Sequence, residues 1–216
     1  MNDLTYGNIS QENLKFLKAK NIFTNCFNQF SELSYPDYAE TTEEIEEVIT
    51  IMKNSRKSPN WKNIERFMIE CDGDIAFVLE SNLSKIGIPI TDEYINYLVE
   101  IGEELGGLVM QLKNHYQRPR PYQVAWYSKQ NLHPYTTTSG NTPSFPSGHA
   151  CQGKFLTLVV AQHYPDKAIE LRKLSEKISH SRLTLGVHYP SDNKIGERIA
   201  KTLFAQIKIK DYLNKG

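Results

Sequence analysis

The sequence predicts an all-α fold, a helical bundle whose connecting loops gather at one end. Apolar residues recur at three- and four-residue spacing along much of the 216 residues, and no segment alternates between apolar and polar as a half-buried strand does. With 39% hydrophobic and 23% charged residues, the chain can bury the core of one domain. We therefore expect a single domain over 1–216, with a helical part at 1–112, functional motifs at 113–192 and a C-terminal helix at 193–216.

The first half of the chain carries several helix signals. The segment TTEEIEEVITIMKNS opens with Thr41 and Glu44 at capping-box spacing, and its apolar residues follow the helical period. Pro59 is suited to the start of a second helix. The Thr-Asp pair at 91–92 can cap a longer helix, which is expected to end near Lys113.

The second half begins with a stretch of different character. Residues 114–146 contain five prolines and few aliphatic residues, which predicts one long connection. A connection of this length within a compact domain is usually functional. Beyond it, apolar periodicity predicts helices over roughly 147–163, 167–185 and 191–213.

Charge and composition exclude several classes of protein. Lys plus Arg and Asp plus Glu both number 25, so no net positive charge favours nucleic acid or an anionic membrane as a partner. No apolar run is long enough to cross a bilayer. The first residues lack the pattern of a secretory signal, so we expect a soluble, cytoplasmic protein unless a leader was removed. The wide spacing of Cys26, Cys71 and Cys151 predicts reduced thiols rather than disulfides or a zinc site.

A candidate anion site lies in the segment TPSFPSGHA, residues 142–150. Ser147 is placed to cap the helix that follows, which leaves Gly148 and His149 in its first turn. The free amides of a helix N-terminus and its dipole favour an anion, and glycine allows close approach of a ligand to the backbone. The alternative is a capped helix with a solvated histidine.

Cations elsewhere in the chain are candidates for the same anion site. Lys113, Arg120 and Arg182 together can neutralise a doubly negative phosphate, and arginine forks match its oxygens. Because the chain is neutral overall, such a cluster would be a local feature. Arg118, two residues before Arg120, is expected to be a solvated surface charge.

His188 and Asp192 form the second candidate pair. Pro190 between them predicts a turn followed by a helix that starts near Ser191. From that position Asp192 can accept the Nδ1 proton of His188 and leave Nε2 as a neutral, oriented nucleophile. His149 would then be the acid that gives a proton to the leaving oxygen.

Three short patterns in this region resemble the motifs of a known family. Lys113, Arg120 and Pro121 fit K-x-x-x-x-x-x-R-P, residues 146–149 read PSGH, and SRLTLGVHYPSD fits S-R-x-x-x-x-x-H-x-x-x-D. In this order they resemble the signature of the type 2 phosphatidic acid phosphatase superfamily, which also holds bacterial class A acid phosphatases, glucose-6-phosphatase and vanadium haloperoxidases. The first hundred residues match that family only as helices.

The resemblance implies a fold, an activity and a role for each motif residue. It implies the helical bundle of that family and a soluble, metal-independent phosphatase that hydrolyses phosphomonoesters through a phosphohistidine. His188 would attack phosphorus, Asp192 would orient it, and His149 would protonate the leaving group and later activate water. No cofactor would be needed, and the phosphate oxygens would be held by Lys113, Arg120, Ser147, Gly148 and Arg182.

Two other functions stay open. A vanadium-dependent haloperoxidase would bind vanadate as a cofactor at the nucleophilic histidine, whereas a phosphatase would be inhibited by vanadate. The short interval from His149 to Arg182 and the small chain favour the phosphatase. A catalytically inactive phosphate-binding protein would be expected to lack a motif residue, and every motif residue is present.

The leaving group of the phosphorylated small-molecule substrate does not follow from these motifs. Aromatic residues between 122 and 145 can stack on it or can simply pin their loop to the bundle; they are Tyr122, Trp126, Tyr127, His133 and Tyr135. The segment CDGD at 71–74 is interpreted as a helix start or turn. The amphipathic first hundred residues can cover the core or form the face of a homo-oligomer.

Overall fold

The computed structural model describes residues 5–7 and 13–207, and these contain helices and loops but no β-strand. The all-α prediction is confirmed. The α-helices are α1 (Leu14–Leu17), α2 (Phe27–Phe30), α3 (Tyr38–Lys57), α4 (Trp61–Gly73), α5 (Ile75–Lys85), α6 (Asp92–Tyr116), α7 (Pro121–Ser128), α8 (Gly148–His163), α9 (Ala168–Thr184) and α10 (Pro190–Gln206). Single 3₁₀ turns precede α2 and α9, at Thr24–Cys26 and Pro165–Lys167.

Helix α3 begins one turn earlier than the sequence predicts. The carboxylate of Asp37 accepts from the backbone N–H of Glu40, and the Glu40 carboxylate accepts from the N–H of Asp37. The chain thus offers two consecutive capping-box patterns, at 37–40 and at 41–44. Aspartate is the stronger cap of the two, so the predicted cap Thr41 lies inside the helix and is buried.

Other helix ends agree more closely with prediction. Thr91 caps α6 by accepting from the Tyr94 N–H at 3.2 Å, and this helix continues to Tyr116, three residues beyond its predicted end. Helix α4 begins at Trp61, two residues after Pro59. The predicted extension of α10 to residue 213 lies outside the described residues.

The segment 114–146 is not one uninterrupted connection, because residues Pro121–Ser128 form α7. Pro121 occupies the first helical position, where the missing N–H is not needed for the helix ladder. Val124 and Ala125 are buried against α3. Two turns are too short for a sustained apolar period, and for that reason periodicity alone did not predict this helix.

Helix α8 lies at the centre of the bundle and packs on α6, α9 and α10. Gly196 of α10 is required for the closest of these contacts, since a Cβ there would lie 2.6 Å from the carbonyl oxygen of Ser147. The close approach sets the start of α10 beside the start of α8. The two predicted functional segments, 146–149 and 188–192, are therefore neighbours.

Two further expectations concern cysteines and membranes. All three cysteines are free, which agrees with the prediction of reduced thiols, and Cys71 and Cys151 are buried. No helix in the described part of the chain has the length and apolar character that crossing a bilayer requires.

Candidate active site

The predicted site residues converge on one cavity of about 290 Å³. Lys113 comes from the last turn of α6, and Arg120 directly precedes α7. Five of the predicted residues line the cavity: Lys113, Arg120, Gly148, His149 and His188. The other three, Ser147, Arg182 and Asp192, are buried next to these.

The start of α8 forms one wall of the cavity. The Ser147 hydroxyl accepts from the Ala150 N–H at 3.4 Å, so this residue is the helix cap that the sequence predicts. Its own N–H donates to the carbonyl of Asp192 at 3.1 Å, which joins the start of α8 to the start of α10. Gly148 and His149 remain partly exposed in the cavity wall.

His149 lies among cations. Burial lowers the pKa of His149 well below its ordinary value, and the charges of Arg182 and Lys113 lower it further. Asp72 and a hydrogen bond to the backbone of Cys71 act in the opposite direction. The net effect is an imidazole that is neutral near pH 7 and accepts a proton only under more acidic conditions.

His188 is held at both ring nitrogens. Its Nδ1 lies 3.1 Å from Oδ2 of Asp192, and its Nε2 lies 2.9 Å from Nη1 of Arg120. Arginine can only donate, so Nε2 is the acceptor and the proton resides on Nδ1. Burial and the charge of Arg120 lower the pKa of His188 well below its ordinary value. The ring is thus a neutral imidazole with its lone pair on the nitrogen of the cavity side.

Asp192 is fully buried and has a donor for each carboxylate oxygen. Oδ1 accepts from Nη1 of Arg118 at 2.6 Å, and Oδ2 accepts from the Tyr189 N–H, the Ser144 hydroxyl and His188. Burial acts to raise the pKa of Asp192, but the Arg118 charge and the hydrogen bonds outweigh it and hold that pKa well below its usual range. The carboxylate that orients His188 therefore stays ionised.

Arg118 is not the solvated surface charge that the sequence predicts. Only 1% of the residue is exposed, and its guanidinium pairs with Asp192 and, at 2.9 Å, with Glu44 of α3. It also lies 3.8 Å from the ring centroid of Tyr189. The error has a physical cause, because both carboxylates that bury this arginine lie more than seventy residues away in sequence.

Lys113 and Arg120 form the cationic side of the cavity. The Lys113 ammonium donates to the carbonyls of Pro143 at 2.5 Å and Ser144 at 3.3 Å, which leaves one of its three protons. Burial lowers the pKa of Lys113 well below its ordinary value, and lowers that of Arg120 to about 10. Both cations are thus desolvated, a setting in which charge-assisted hydrogen bonds are strong.

Every N–H of the Arg120 guanidinium already has a partner in the protein. Nε donates to the Thr142 carbonyl, Nη1 to the Val187 carbonyl and to His188, and Nη2 to the Ser139 carbonyl and the Thr142 hydroxyl. A phosphate that binds Arg120 must therefore replace one of these acceptors. The His188 nitrogen is the acceptor that also lines the cavity.

Arg182 has a different distribution of partners. It is completely buried, and its Nη2 donates to the Asp72 carboxylate at 2.8 Å and the Ser139 hydroxyl at 2.6 Å. Its Nε and Nη1 atoms have no hydrogen-bond partner among the described residues. Three N–H donors thus remain for a ligand in this part of the structure.

Sequence reasoning missed several residues that hold the site together. The sequence around Asp72 predicts only a helix start or turn, and Asp74 indeed caps α5, but Asp72 lies at the end of α4 and binds Arg182. Ser139 and Ser144 bind site residues from within the connection after α7. An available signal was the length of that connection, which predicted a function for the segment without indicating which residues perform it.

The aromatic residues that the sequence offers between 122 and 145 do not line the cavity. Trp126 and Tyr127 are exposed on α7, at 80% and 53% of their surface. Tyr135 packs on Trp61, and Tyr122 packs on the small apolar cluster between α3 and α7. These contacts favour the interpretation that Tyr122 and Tyr135 pin the segment to the bundle. Its contribution to the cavity comes instead from Thr138, Ser139, Asn141 and Thr142.

The comparison with known protein families agrees with this geometry. A model described as the PAP2 superfamily matches residues 97–207, just over half of the chain, and this range contains every predicted site residue. The chain belongs to the PAP2 superfamily. Asp72 and Glu44 lie outside the part that matches the PAP2 model, so the N-terminal half supports the site with residues that the family match does not cover.

Two relatives extend the PAP2 comparison. The chain is 27% identical over 161 residues to the non-specific acid phosphatase of Salmonella typhimurium, and 26% identical over 162 residues to the non-specific acid phosphatase of Salmonella typhi. Each alignment covers 70% of this chain and 61% of the relative. The chain thus spans about three-fifths of the length of these two acid phosphatases.

Proposed function

We propose that the protein is a phosphatase that hydrolyses phosphomonoesters of small molecules through a phosphohistidine on His188, without a metal ion. The observation that carries the proposal is the hydrogen-bonded state of His188, whose Nδ1 is held by Asp192 while Nε2 keeps its lone pair. The PAP2 match and the two acid phosphatase relatives support this class of reaction.

Phosphate binding and activation of the nucleophile are coupled in this proposal. Arg120 donates to Nε2 of His188, and this bond occupies the lone pair that must attack phosphorus. A phosphate oxygen beside Arg120 is a stronger acceptor for that N–H than a neutral imidazole. Binding of the substrate therefore takes the arginine donor away and frees the nucleophile in the same step.

In the first chemical step, the Nε2 lone pair forms a bond to phosphorus as the bond from phosphorus to the ester oxygen breaks. The leaving oxygen takes the proton of His149, so a neutral alcohol departs. The imidazole of His188 gains positive charge, which the ionised Asp192 stabilises through Nδ1. Lys113, Arg120, Arg182 and the amides at the start of α8 stabilise the charge on the phosphoryl oxygens.

In the second step, the neutral His149 accepts a proton from water and the hydroxide forms a bond to phosphorus. The nitrogen–phosphorus bond breaks, the electron pair returns to Nε2 of His188, and inorganic phosphate is released. His149 regains its proton in this step, so one catalytic cycle restores both histidines and consumes one water.

The direct test is hydrolysis of 4-nitrophenyl phosphate by the purified protein. We expect activity that persists in EDTA, because no step of the proposal uses a metal, and inhibition by vanadate, which mimics the five-coordinate transition state. Activity that vanished in EDTA and returned with a divalent cation would contradict the proposal. Oxidation of bromide by peroxide with the vanadate-loaded protein would instead identify a haloperoxidase.

The dependence of activity on pH follows from the two histidines. His149 must be protonated to act as the acid, and its pKa lies well below the ordinary value, so the active fraction falls as pH rises through that lowered pKa. His188 must be neutral, and its lowered pKa keeps it so into the acidic range. We expect kcat/KM to be highest at acidic pH and to decline towards neutrality. A maximum above about pH 7.5 would contradict the assignment of His149 as acid.

A further inference from the structure

We propose that Asp72 is a positioning residue of the phosphate site, whose carboxylate fixes Arg182 and the segment 138–139 so that the remaining donors of Arg182 are oriented for a phosphate. The inference deepens the proposed function and rests on it. Asp72 is not in the cavity wall, so it would act through Arg182 and not by touching the substrate.

The Asp72 carboxylate binds three partners at once. Oδ1 accepts from Nη2 of Arg182 at 2.8 Å and from the hydroxyl of Ser139 at 2.5 Å. Oδ2 accepts from the backbone N–H of Thr138 at 2.9 Å and from its hydroxyl at 3.2 Å. Although burial acts to raise the pKa of Asp72, these hydrogen bonds and the Arg182 charge lower it to about 2. The group is therefore an anion at neutral and mildly acidic pH.

Asp72 and Ser139 together fix the orientation of the Arg182 guanidinium. Both protons of Nη2 are used, by Asp72 and by Ser139, while Nε and Nη1 keep three donors without partners among the described residues. A planar guanidinium that is fixed at one nitrogen has its other donors fixed as well. Ser139, whose hydroxyl accepts from Nη2 at 2.6 Å, lines the cavity together with His149 and Lys113. The guanidinium of Arg182 therefore lies directly behind the wall of the cavity in which phosphate would bind.

The Asp72 carboxylate is also connected to Arg120, through Ser139. The Ser139 hydroxyl joins Asp72 to Arg182, and the Ser139 carbonyl accepts from Nη2 of Arg120 at 3.0 Å. Asp72 thus stabilises the segment that holds both arginines. It lies at the end of α4 and outside the residues that match the PAP2 model, so the family match gives no account of it.

An electrostatic role and a positioning role of Asp72 predict opposite changes in phosphate binding when the carboxylate is removed. A carboxylate close to a phosphate site repels the phosphate, so a purely electrostatic role means that its removal tightens binding of inorganic phosphate. A positioning role means that removal weakens binding, because Arg182 can rotate and the segment 138–139 is released. The sign of the change therefore separates the two explanations.

The experiment compares Asp72→Ala, Asp72→Asn and a matched control, Asp74→Asn. Asp74 lies two residues further on and caps α5 through the N–H groups of Ala76 and Phe77, a role that asparagine can also fill. We expect Asp72→Ala to weaken binding of inorganic phosphate and to lower kcat/KM for 4-nitrophenyl phosphate by about ten- to a hundredfold. Asp72→Asn retains an acceptor oxygen and should lose less, and Asp74→Asn should behave as the parent protein.

A double-mutant cycle with Arg182→Ala tests whether Asp72 acts through Arg182. Once Arg182 is absent, replacing Asp72 should lower kcat/KM by less than about threefold further. Tighter phosphate binding in Asp72→Asn, or losses that simply multiply in the double variant, would overturn the proposal. The affinity for inorganic phosphate, measured by calorimetry, tests the role of Asp72 even if the parent protein hydrolyses no ester. Failure of the proposed phosphatase function can therefore be distinguished from failure of the proposal about Asp72. If Asp72→Ala does not fold, Asp72→Asn supplies the same comparison.

Discussion

Replacing His188 with alanine is expected to lower kcat/KM for 4-nitrophenyl phosphate by on the order of a thousandfold or more. The side chain supplies the lone pair that attacks phosphorus in the proposed reaction, and among the described residues His188 alone binds both Arg120 and Asp192 through a ring nitrogen. Binding of the substrate should change much less, because the cations of the site remain. The measurement is steady-state kinetics at the acidic pH of maximum activity.

His180→Ala is the matched control for this experiment. His180 lies on α9, is exposed and does not line the cavity, so its replacement should leave the activity within about twofold of the parent. When the parent enzyme is mixed with substrate and the reaction is quenched rapidly without acid, mass spectrometry should show one phosphoryl group on His188. Near-parental hydrolysis by His188→Ala, or phosphate on another residue, would refute the mechanism.

The local geometry of two of the proposed motifs, at 146–149 and 188–192, could be predicted from sequence because each motif forms a local structure. Ser147 caps the helix that begins at the next residue, and Asp192 reaches the N–H of Tyr189 and the ring of His188 within one helical turn. Contacts of this kind depend on spacing, and spacing is visible in the sequence. The apolar period predicted α6, α8, α9 and α10 for the same reason.

The groups that support these motifs could not be predicted in the same way. Asp72 and Arg182 are 110 positions apart, and their pairing exists only because α4 packs on α9. Whether a charge is buried depends on such tertiary partners, and composition carries no record of them. Similarly, α7 owes its buried face to α3 and not to a period of its own.

The RPRP segment did hold a signal that the sequence reasoning left unused. A residue before proline is pushed into extended backbone, and in extended backbone every second side chain lies on the same side. Arg118 and Arg120 accordingly lie on the same side of the chain, where Arg118 binds Asp192 and Arg120 binds His188. The two arginines therefore enclose the proposed nucleophile and its orienting carboxylate.

Replacing Arg118 with alanine is expected to lower the free energy of unfolding by about 3–5 kcal/mol, the usual cost of removing one partner from a buried ion pair. The change leaves Oδ1 of Asp192 buried without its donor and removes the partner of Glu44. Urea denaturation near neutral pH is the measurement. Arg172→Ala is the control. The side chains of Arg172 and Glu176 form an ion pair 3.7 Å long that is exposed to solvent, and this pair should contribute less than about 1 kcal/mol.

The pH dependence of this loss distinguishes charge from packing. Asp192 has a lower pKa in the folded protein than in the unfolded chain, so its ion pair contributes stability that is present above about pH 4 and is lost as the pH falls. The difference between the parent and Arg118→Ala should therefore be largest near neutral pH and should shrink below about pH 4. Arg118→Met keeps an apolar chain over the Tyr189 ring but has no charge, so it should show the same trend. An equal loss at pH 3 and pH 7 would mean that the arginine stabilises the fold by packing and that the Asp192 carboxylate does not depend on it.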